Sequence, residues 1–223
     1  MLTKNKVFVV IVLLVSLMLP FTALAKEFQD VPVGYWAKSE IEELAGLGFL
    51  AGTPDGNFNP DNPVTRAEFA AMIVKSLKMT VTGGSTGTFK DVPKKHWAIK
   101  AVETVSKAGF VVGDKGKFRP DDKISRQEMA VIIMRISEKN GYPGEGSTSS
   151  LGRFKDSDQI SGWAAPSVGD ATNFGYIREV SYSVYESTYS SSRYNRVLAP
   201  LDNATRAQAA VSLHNLLVKT GLI

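Results

Sequence analysis

One pattern of residues occurs three times in this chain, and it constrains the fold more than any other feature. Each copy contains a tryptophan that is followed by a glycine 12 residues later. The three pairs are Trp36 and Gly48, Trp97 and Gly109, and Trp163 and Gly175. Equal spacing in three copies predicts a repeat protein whose units share one fold and pack against each other.

Apolar periodicity predicts two helices in each copy. In the first copy it indicates a helix over about 36–47, ended by Gly48 in a left-handed conformation, and a second helix beginning after Thr65. A pair of such short helices cannot bury its own apolar faces, so we expect three pairs to pack as one all-α domain. Segments 80–85 and 141–147 between the copies are rich in Gly, Ser and Thr and are predicted to be flexible connectors.

The first 25 residues have the layout of a secretory signal peptide. Lys4 and Lys6 precede an apolar run over 7–19, and Ala23-Leu24-Ala25 resembles a cleavage signal. The alternative is a retained membrane anchor. Since a spanning helix needs about 20 apolar residues, the run is short, and cleavage before Lys26 is favoured.

Charge and cysteine content restrict how a secreted chain could be held at a surface. The net charge of +4 falls to +2 without Lys4 and Lys6, because 24 basic residues then face 22 acidic ones. A nearly balanced charge does not favour general binding of polyanions, so anion recognition would need individually placed residues. The chain has no cysteine, which excludes disulfides and a lipid attached through sulfur.

An arginine stands at the predicted first position of the second helix in each copy. These arginines lie inside capping boxes, namely Thr65 to Glu68, Ser125 to Glu128 and Thr205 to Gln208. A cation there opposes the helix dipole by roughly 0.3–1 kcal/mol, so Arg66, Arg126 and Arg206 require another reason. Either they bind a carboxylate or phosphate together with free helix N–H groups, or they pair with an aspartate and clamp the repeat. The candidate aspartates are Asp30, Asp91 and Asp156.

Three further sets of repeated residues allow two interpretations each. The tryptophans could stack on a sugar, but a core position is favoured for most of each indole ring. The aspartates are typical caps or turn formers that can also bond a sugar hydroxyl. Gly52 and Gly113 would let a ligand approach the backbone, or would serve only the turn.

Together these residues resemble the S-layer homology domain family. The pattern in the first copy runs Phe28-x-Asp30-Val31-Pro32, Trp36-Ala37, Gly48-Phe49, Asp55-Gly56-x-Phe58-x-Pro60 and Thr65-Arg66-Ala67-Glu68. The resemblance extends from Phe28 to Leu217 and predicts repeats at 26–79, 88–139 and 152–220 after a signal peptide at 1–25, with no additional cargo domain.

The resemblance implies both a shape and a function. Three helix-loop-helix repeats would form a three-pronged pseudo-trimer around a central helical bundle. The protein would be secreted and associated with the cell wall or S-layer, and it would bind a secondary cell wall polymer, often through pyruvylated N-acetylmannosamine. The implied ligand-binding residues are Asp30, Trp36, Gly52 and Arg66 in one groove, Asp91, Trp97, Gly113 and Arg126 in another, and Asp156, Trp163 and Arg206 in the third copy.

The third copy departs from the pattern. Glu179 replaces the second glycine, and 31 residues separate Gly175 from Arg206 against 18 and 17 in the other copies. An insertion near 180–196 carries four tyrosines and is either a surface flap or a set of aromatic rings for a glycan or partner. The negative charge of Glu179 counts against an anionic ligand in the third groove.

Other classes of function are not supported by the sequence. It has no nucleophile elbow, metal-ligand cluster or phosphate loop, so we expect no enzyme activity, metal or cofactor. Segment 55–61 alternates oxygen ligands but has Arg66 where an EF-hand needs Glu. No nucleic-acid partner is expected, and no membrane contact after signal cleavage. The main alternative is a secreted module that recruits a partner or assembles at the cell surface.

Overall fold

The computed structural model describes residues 27–81, 87–180 and 196–223. The predicted signal peptide and most of the predicted insertion, 181–195, lie outside the described residues. The described ranges contain six α-helices and two short 3-10 helices. The α-helices are α1 (Lys38–Gly46), α2 (Arg66–Ser76), α3 (Ile99–Lys107), α4 (Arg126–Lys139), α5 (Ala165–Asn173) and α6 (Arg206–Lys219), and the 3-10 helices are Ser149–Arg153 and Ser157–Gln159. β-structure in these ranges is limited to isolated bridges, which confirms the prediction of an all-α fold.

The capping boxes predicted for the second helices are confirmed. Thr65 Oγ1 accepts a hydrogen bond from Glu68 N at 3.1 Å, and Glu68 Oε2 accepts one from Thr65 N at 2.7 Å. The same reciprocal pair opens α4 and α6. These boxes start α2, α4 and α6 one residue after the Ser or Thr, as the sequence indicates.

The first helix of the first copy begins two residues later than predicted. Its N-cap is Ala37, which has no capping side chain, and the helix buries Ile41, Leu44 and Ala45. Trp36 therefore precedes the helix and does not lie on its buried face. The tryptophan marks the start of the element but is not part of its apolar stripe.

Helices pair across repeats. α3 packs on α2, α5 packs on α4, and α1 packs on α6. The first helix of each copy therefore packs on the second helix of the preceding copy. The pair formed by α1 and α6 brings the first and third copies together. In addition, α6 contacts both α2 and α4. This cyclic pairing buries apolar faces that a single repeat could not cover.

Three backbone hydrogen bonds close a ring just before the second helices. Val64 N donates to Ala204 O at 2.9 Å, Ile124 N donates to Val64 O at 3.1 Å, and Ala204 N donates to Ile124 O at 2.8 Å. All three side chains are fully buried. The ring sets the starts of α2, α4 and α6 side by side, and so fixes the positions of the three arginines that follow.

The second connector is held to the fold, so its predicted flexibility is wrong. Gly146 N donates to the buried carboxylate of Asp170 at 2.8 Å, and Tyr142 O accepts from Ser137 Oγ at 2.9 Å. Part of the first connector, 82–86, lies outside the described residues. None of the helices in the described ranges has the length and apolar character needed to cross a membrane.

Candidate ligand grooves between repeats

Each repeated arginine extends into the next repeat in the cycle. Arg66 Nε donates to Phe118 O at 2.7 Å, Arg126 Nε donates to Leu198 O at 2.7 Å, and Arg206 Nε donates to Phe58 O at 2.8 Å. Arg66 and Arg126 are buried, and Arg206 is partly buried. The arginines therefore clamp neighbouring repeats together. Of the two hypotheses the clamp is observed, but its predicted aspartate partners are wrong, because each Nε donates to a backbone carbonyl group and the acidic partner of Arg66 is Glu128.

The helix N-termini do not offer free N–H groups to an anion, contrary to the prediction. Arg66 N donates to Asp122 O and Ala67 N donates to Pro120 O, at 2.9 and 3.0 Å. The other two helices repeat these bonds, with Arg126 and Gln127 donating to Asp202 and Pro200, and Arg206 and Ala207 donating to Asn62 and Pro60. The donors at the first two positions of each helix are thus satisfied by the next repeat.

The repeated aspartates hold the loop before each proline. Asp30 accepts from Phe58 N and Asn59 N at 2.7 and 2.6 Å. Asp91 accepts from Phe118 N and Arg119 N, and Asp156 accepts from Leu198 N and Ala199 N. In each pair the second residue is left-handed, with φ of 58° at Asn59, 60° at Arg119 and 52° at Ala199. Each carboxylate therefore stabilises an unfavourable backbone conformation in a loop distant in the sequence, whereas the sequence favoured a local cap or turn.

The third copy of this loop was missed by sequence reasoning. Leu198-Ala199-Pro200 has neither the phenylalanine of the other copies nor the glycine that stands two residues before it. The loop could have been found from the constant sequence spacing between its proline and the N-cap residue of the following helix. Pro60 and Thr65, Pro120 and Ser125, and Pro200 and Thr205 are each five residues apart.

The tryptophans are exposed, so the favoured core interpretation is wrong. The exposed fractions are 48% for Trp36, 65% for Trp97 and 61% for Trp163. Tyr35 and His96 lie beside the first two indoles, with ring centroids 5.9 and 5.8 Å apart. The large exposed area makes each indole available for stacking against a ligand ring.

Gly52 and Gly113 are explained by packing. A Cβ at Gly52 would lie 2.6 Å from Phe28 Cε1, and one at Gly113 would lie 2.5 Å from Phe89 Cε1. Backbone carbonyl groups are equally close, with Asn57 O 2.5 Å from the Gly52 position and Lys117 O 2.6 Å from that of Gly113. The missing side chain thus makes room for the first phenylalanine of the same repeat and for the backbone of the turn. Of the two interpretations, a structural role for these glycines accounts for the geometry.

Two cavities lie between repeats, and each is lined by residues of different copies. The Trp163 groove has a volume of about 510 Å³ and is lined by Arg66, Gly113, Arg119, Glu128, Arg135 and Trp163, among others. The Trp36 groove has a volume of about 600 Å³ and is lined by Trp36, Arg126, Arg153, Arg178, Glu179 and Arg196, among others.

This grouping corrects the one predicted from the sequence. Arg66 shares a cavity with Trp163, and Arg126 shares one with Trp36. Arg206 donates through Nη2 to Ala51 O at 3.2 Å, next to Gly52. Each of these two cavities is therefore assembled by neighbours in the cycle, and neither groups the Asp, Trp, Gly and Arg of one repeat.

Glu128 sets the charge of the Trp163 groove. It pairs with Arg66 at 3.2 Å and also with Arg119. Burial alone would raise the pKa of Glu128, but the hydrogen bond from Ser125 N and the two arginine charges outweigh burial and lower it. Burial lowers the pKa of Arg66, and the charge of Glu128 opposes that effect. Among the described residues, two of the five N–H donors of Arg66 have acceptors, which leaves donor capacity for a ligand.

The Trp36 groove is rich in arginine, and its acidic residue is paired. Glu179 Oε2 lies 3.1 Å from Arg196 Nε. Arg178 pairs with Glu40 at 3.2 Å, and its carbonyl oxygen accepts from Arg126 Nη2 at 2.5 Å. Because Arg196 compensates Glu179, the acidic substitution in the third copy does not leave this groove negative. Arg153, Arg178 and Arg196 were not singled out from the sequence, since none of them recurs in the other copies.

In the part of the chain that is described, no group of three or more His, Asp or Glu side chains could hold a metal ion. The grooves instead combine guanidinium groups with an exposed indole face. This combination suits a ligand that carries both a ring surface and an acidic group.

The cyclic helical repeats and their grooves define a class of all-α repeat proteins with cavities between units. Residues 27–70 and 88–130 each match the S-layer homology domain, and these two segments are therefore S-layer homology repeats. The third copy makes the same contacts as these two segments. Its arginine donates to a carbonyl group of the next repeat, its aspartate accepts from the loop before the proline, and its backbone takes part in the ring of hydrogen bonds before the second helices.

Similar proteins are much longer than this chain. It is 38% identical over 201 residues to the amylopullulanase of Thermoanaerobacterium thermosulfurigenes, covering 89% of this chain and 10% of that protein. It is 38% identical over 188 residues to the exoglucanase XynX of Acetivibrio thermocellus, covering 83% and 16%. It is 37% identical over 128 residues to the S-layer protein EA1 of Bacillus anthracis, covering 56% and 15%. The chain thus spans only a small part of these relatives.

Proposed function

We propose that this chain attaches without a covalent bond to the bacterial cell wall by binding a secondary cell wall polysaccharide in its grooves. The observation that carries the proposal is the pairing of an exposed indole with a guanidinium group from a different repeat, Trp163 with Arg66 and Trp36 with Arg126. The match of two segments to the S-layer homology domain supports it. The third copy acts as a further S-layer homology repeat, and the protein functions outside the cell after removal of residues 1–25.

The residues of each groove have separate roles in this proposal. The indole stacks on the apolar face of a sugar ring. The arginine, already oriented by a backbone carbonyl group, donates to an acidic substituent. Asp30, Asp91 and Asp156 shape the groove wall by holding the loop whose carbonyl group orients the arginine.

The proposed ligand is a glycan that contains pyruvylated N-acetylmannosamine. A pyruvate ketal adds a carboxylate to the sugar, and a carboxylate is the planar anion that a guanidinium group binds with two parallel bonds. This assignment follows from the resemblance to the family together with the arginine content of the grooves. Two or more grooves on one polymer would raise the apparent affinity by roughly 10²–10⁴.

Substitution of the indoles tests the proposal without disturbing the arginine clamps. The variant Trp36→Ala with Trp163→Ala removes two exposed side chains, so we expect an unchanged Tm and at least a tenfold loss of binding, the scale of a lost aromatic contact in each groove. Binding is measured by co-sedimentation with purified cell walls. Val218→Ala on α6, where the side chain is 52% exposed and lies outside both groove linings, is the control.

The same assay tests the identity of the polymer. Walls stripped of their non-peptidoglycan polysaccharide should no longer bind the unaltered chain. Binding at an undiminished level to stripped walls would identify peptidoglycan as the ligand and contradict the proposal. Full binding by the tryptophan variant would show that the indoles of the two grooves do not take part in wall binding.

A further inference from the structure

We infer that the Trp36 groove contains an additional subsite for an oxyanion, centred on Arg153, that the Trp163 groove lacks. This inference rests on the proposed function, because it assigns a second acidic group of the same polymer to one of its grooves. The oxyanion is a phosphate or a further carboxylate. Arg153 is thus a specificity-determining residue of the Trp36 groove.

The first observation is an unused donor. Arg153 Nε is buried and has no hydrogen-bond partner, a state shared by only one other buried side-chain atom of the described residues, Ser76 Oγ. A buried donor on a charged group without an acceptor is unfavourable and rare in folded proteins. The guanidinium group lies over the ring of Phe154, 5.0 Å from its centroid, and lines the cavity. The stacking fixes the orientation of the group without using its N–H donors.

The second observation is that the scaffold does not require an arginine at this position. Phe154 corresponds to Phe28 and Phe89, and the preceding residues in those copies are Glu27 and Thr88. Thr88 bonds a buried carboxylate, with Oγ1 donating to Glu103 Oε2 at 2.7 Å. Arg153 replaces that contact with a cation that faces the groove. A residue that belongs to one groove, and whose Nε has no acceptor among the described residues, is suited to a ligand.

The third observation is the difference in charge between the two grooves. In the Trp36 groove, Arg178 and Arg196 have acidic partners, whereas Arg153 has none among the described residues. In the Trp163 groove, Arg66 and Arg119 share Glu128, and Asp114 lies in the same lining. Arg135 also lines the Trp163 groove, so that lining has three arginines and two acidic residues, whereas the lining of the Trp36 groove has four arginines and one acidic residue. The Trp36 groove is therefore the more positive of the two, and a ligand with two acidic groups would bind there in preference.

The test uses small anions and the full chain. Inorganic phosphate and pyruvate are titrated separately at constant ionic strength, and the indole N–H signal of Trp36 is followed by NMR. We expect saturable shifts with at least one anion, and the anion bound more tightly identifies the subsite as a phosphate or a carboxylate site. In Arg153→Gln, affinity should fall roughly tenfold, as expected for one charge-assisted hydrogen bond. In Arg153→Lys, which keeps the charge, part of that loss should be restored.

Lys155→Gln is the matched control. Lys155 lies two positions after Arg153, and its side chain carries the same charge but is exposed and lies outside the groove lining. This variant should bind as the unaltered chain does. Equal weakening in both Gln variants would show a net-charge effect and overturn the inference. Unchanged affinity in Arg153→Gln, or no shift with either anion, would overturn it as well. Those results would leave the wall-binding assay of the tryptophan variant unaffected, so the inference and the proposed function fail separately.

Discussion

At the scale of single residues, each repeated arginine acts in the scaffold, and Arg66 and Arg126 also line a groove. The sequence shows that an arginine at the start of a helix is unfavourable and must have another role. It does not show whether that role is ligand binding or contact with another repeat. The acceptor of Arg66 is a backbone carbonyl group 52 residues away, and every residue has a carbonyl group, so no residue type marks the partner. The structural role of these arginines also means that their removal would affect folding as well as binding.

The clamp predicts that Arg126 cannot be replaced by lysine without loss of stability. Arg126 donates through Nε to Leu198 O and through Nη2 to Arg178 O, and an ammonium group cannot reproduce this fork. We expect Arg126→Lys to lower the free energy of unfolding by about 1.5–3 kcal/mol, measured by urea denaturation. Arg135→Lys, whose bond to Phe110 O is long at 3.5 Å, is the control and should lose much less. Equal losses would rule out a special role for the clamp.

The glycines give a second prediction at this scale. Gly113 and Gly116 both have positive φ, 74° and 75°, but only Gly113 would place a Cβ against a neighbour, Phe89. Gly116→Ala should cost about 1 kcal/mol from backbone strain alone, and Gly113→Ala should cost a further 1–3 kcal/mol from overpacking. Thermal unfolding of the two variants measures the difference. If both lost the same amount, the close approach to Phe89 would not explain the glycine.

At the scale of elements, periodicity and capping residues predict the helices well. The starts of α2, α4 and α6 follow from capping boxes. The start of α1 was placed two residues early, because no capping side chain marks the beginning of this helix. Periodicity shows which face of a helix is buried but not which helix covers it. The pairing of α1 with α6 therefore could not be predicted from the sequence.

The loop before Pro120 predicts a dependence of stability on pH. Burial opposes ionisation of Asp91, but hydrogen bonds from Phe118 N and Arg119 N outweigh it and lower its pKa, and the pKa of Glu128 is lowered as well. Groups with lowered pKa stabilise the fold above their unfolded pKa, which is about 4. That stabilisation is lost as the pH falls through the folded pKa. The Tm should therefore be steady from neutral pH to about 5 and fall below about 4.

Asp91→Asn identifies the source of this effect. The variant should have a lower Tm at pH 7 and a shallower decline on acidification, because one of the titrating groups is gone. Asp114→Asn, which changes an exposed carboxylate in the nearby turn, is the control and should follow the unaltered curve. A decline in Asp91→Asn as steep as in the unaltered chain would assign the pH dependence to other groups.

At the scale of the whole molecule, the repeats form a cycle, and each groove depends on that closure. Trp36 and Arg126 are 90 positions apart in the chain, yet they line one cavity. Residue types at the site were predictable because they recur, whereas their grouping was not, because the sequence does not say which repeat follows which around the ring. The arginines specific to the Trp36 groove were missed for the opposite reason, since they do not recur.

The most direct test of the account is whether a groove indole responds to the wall polysaccharide. Two chains that each keep one groove tryptophan, Trp36→Phe with Trp97→Phe and Trp97→Phe with Trp163→Phe, report through fluorescence on Trp163 and Trp36 separately. Titration with purified wall polysaccharide should change the emission of both chains and reach saturation, and polymer freed of its acidic substituents should have little effect. An emission that stays constant for both tryptophans while the chain remains bound to intact walls would contradict binding in the grooves.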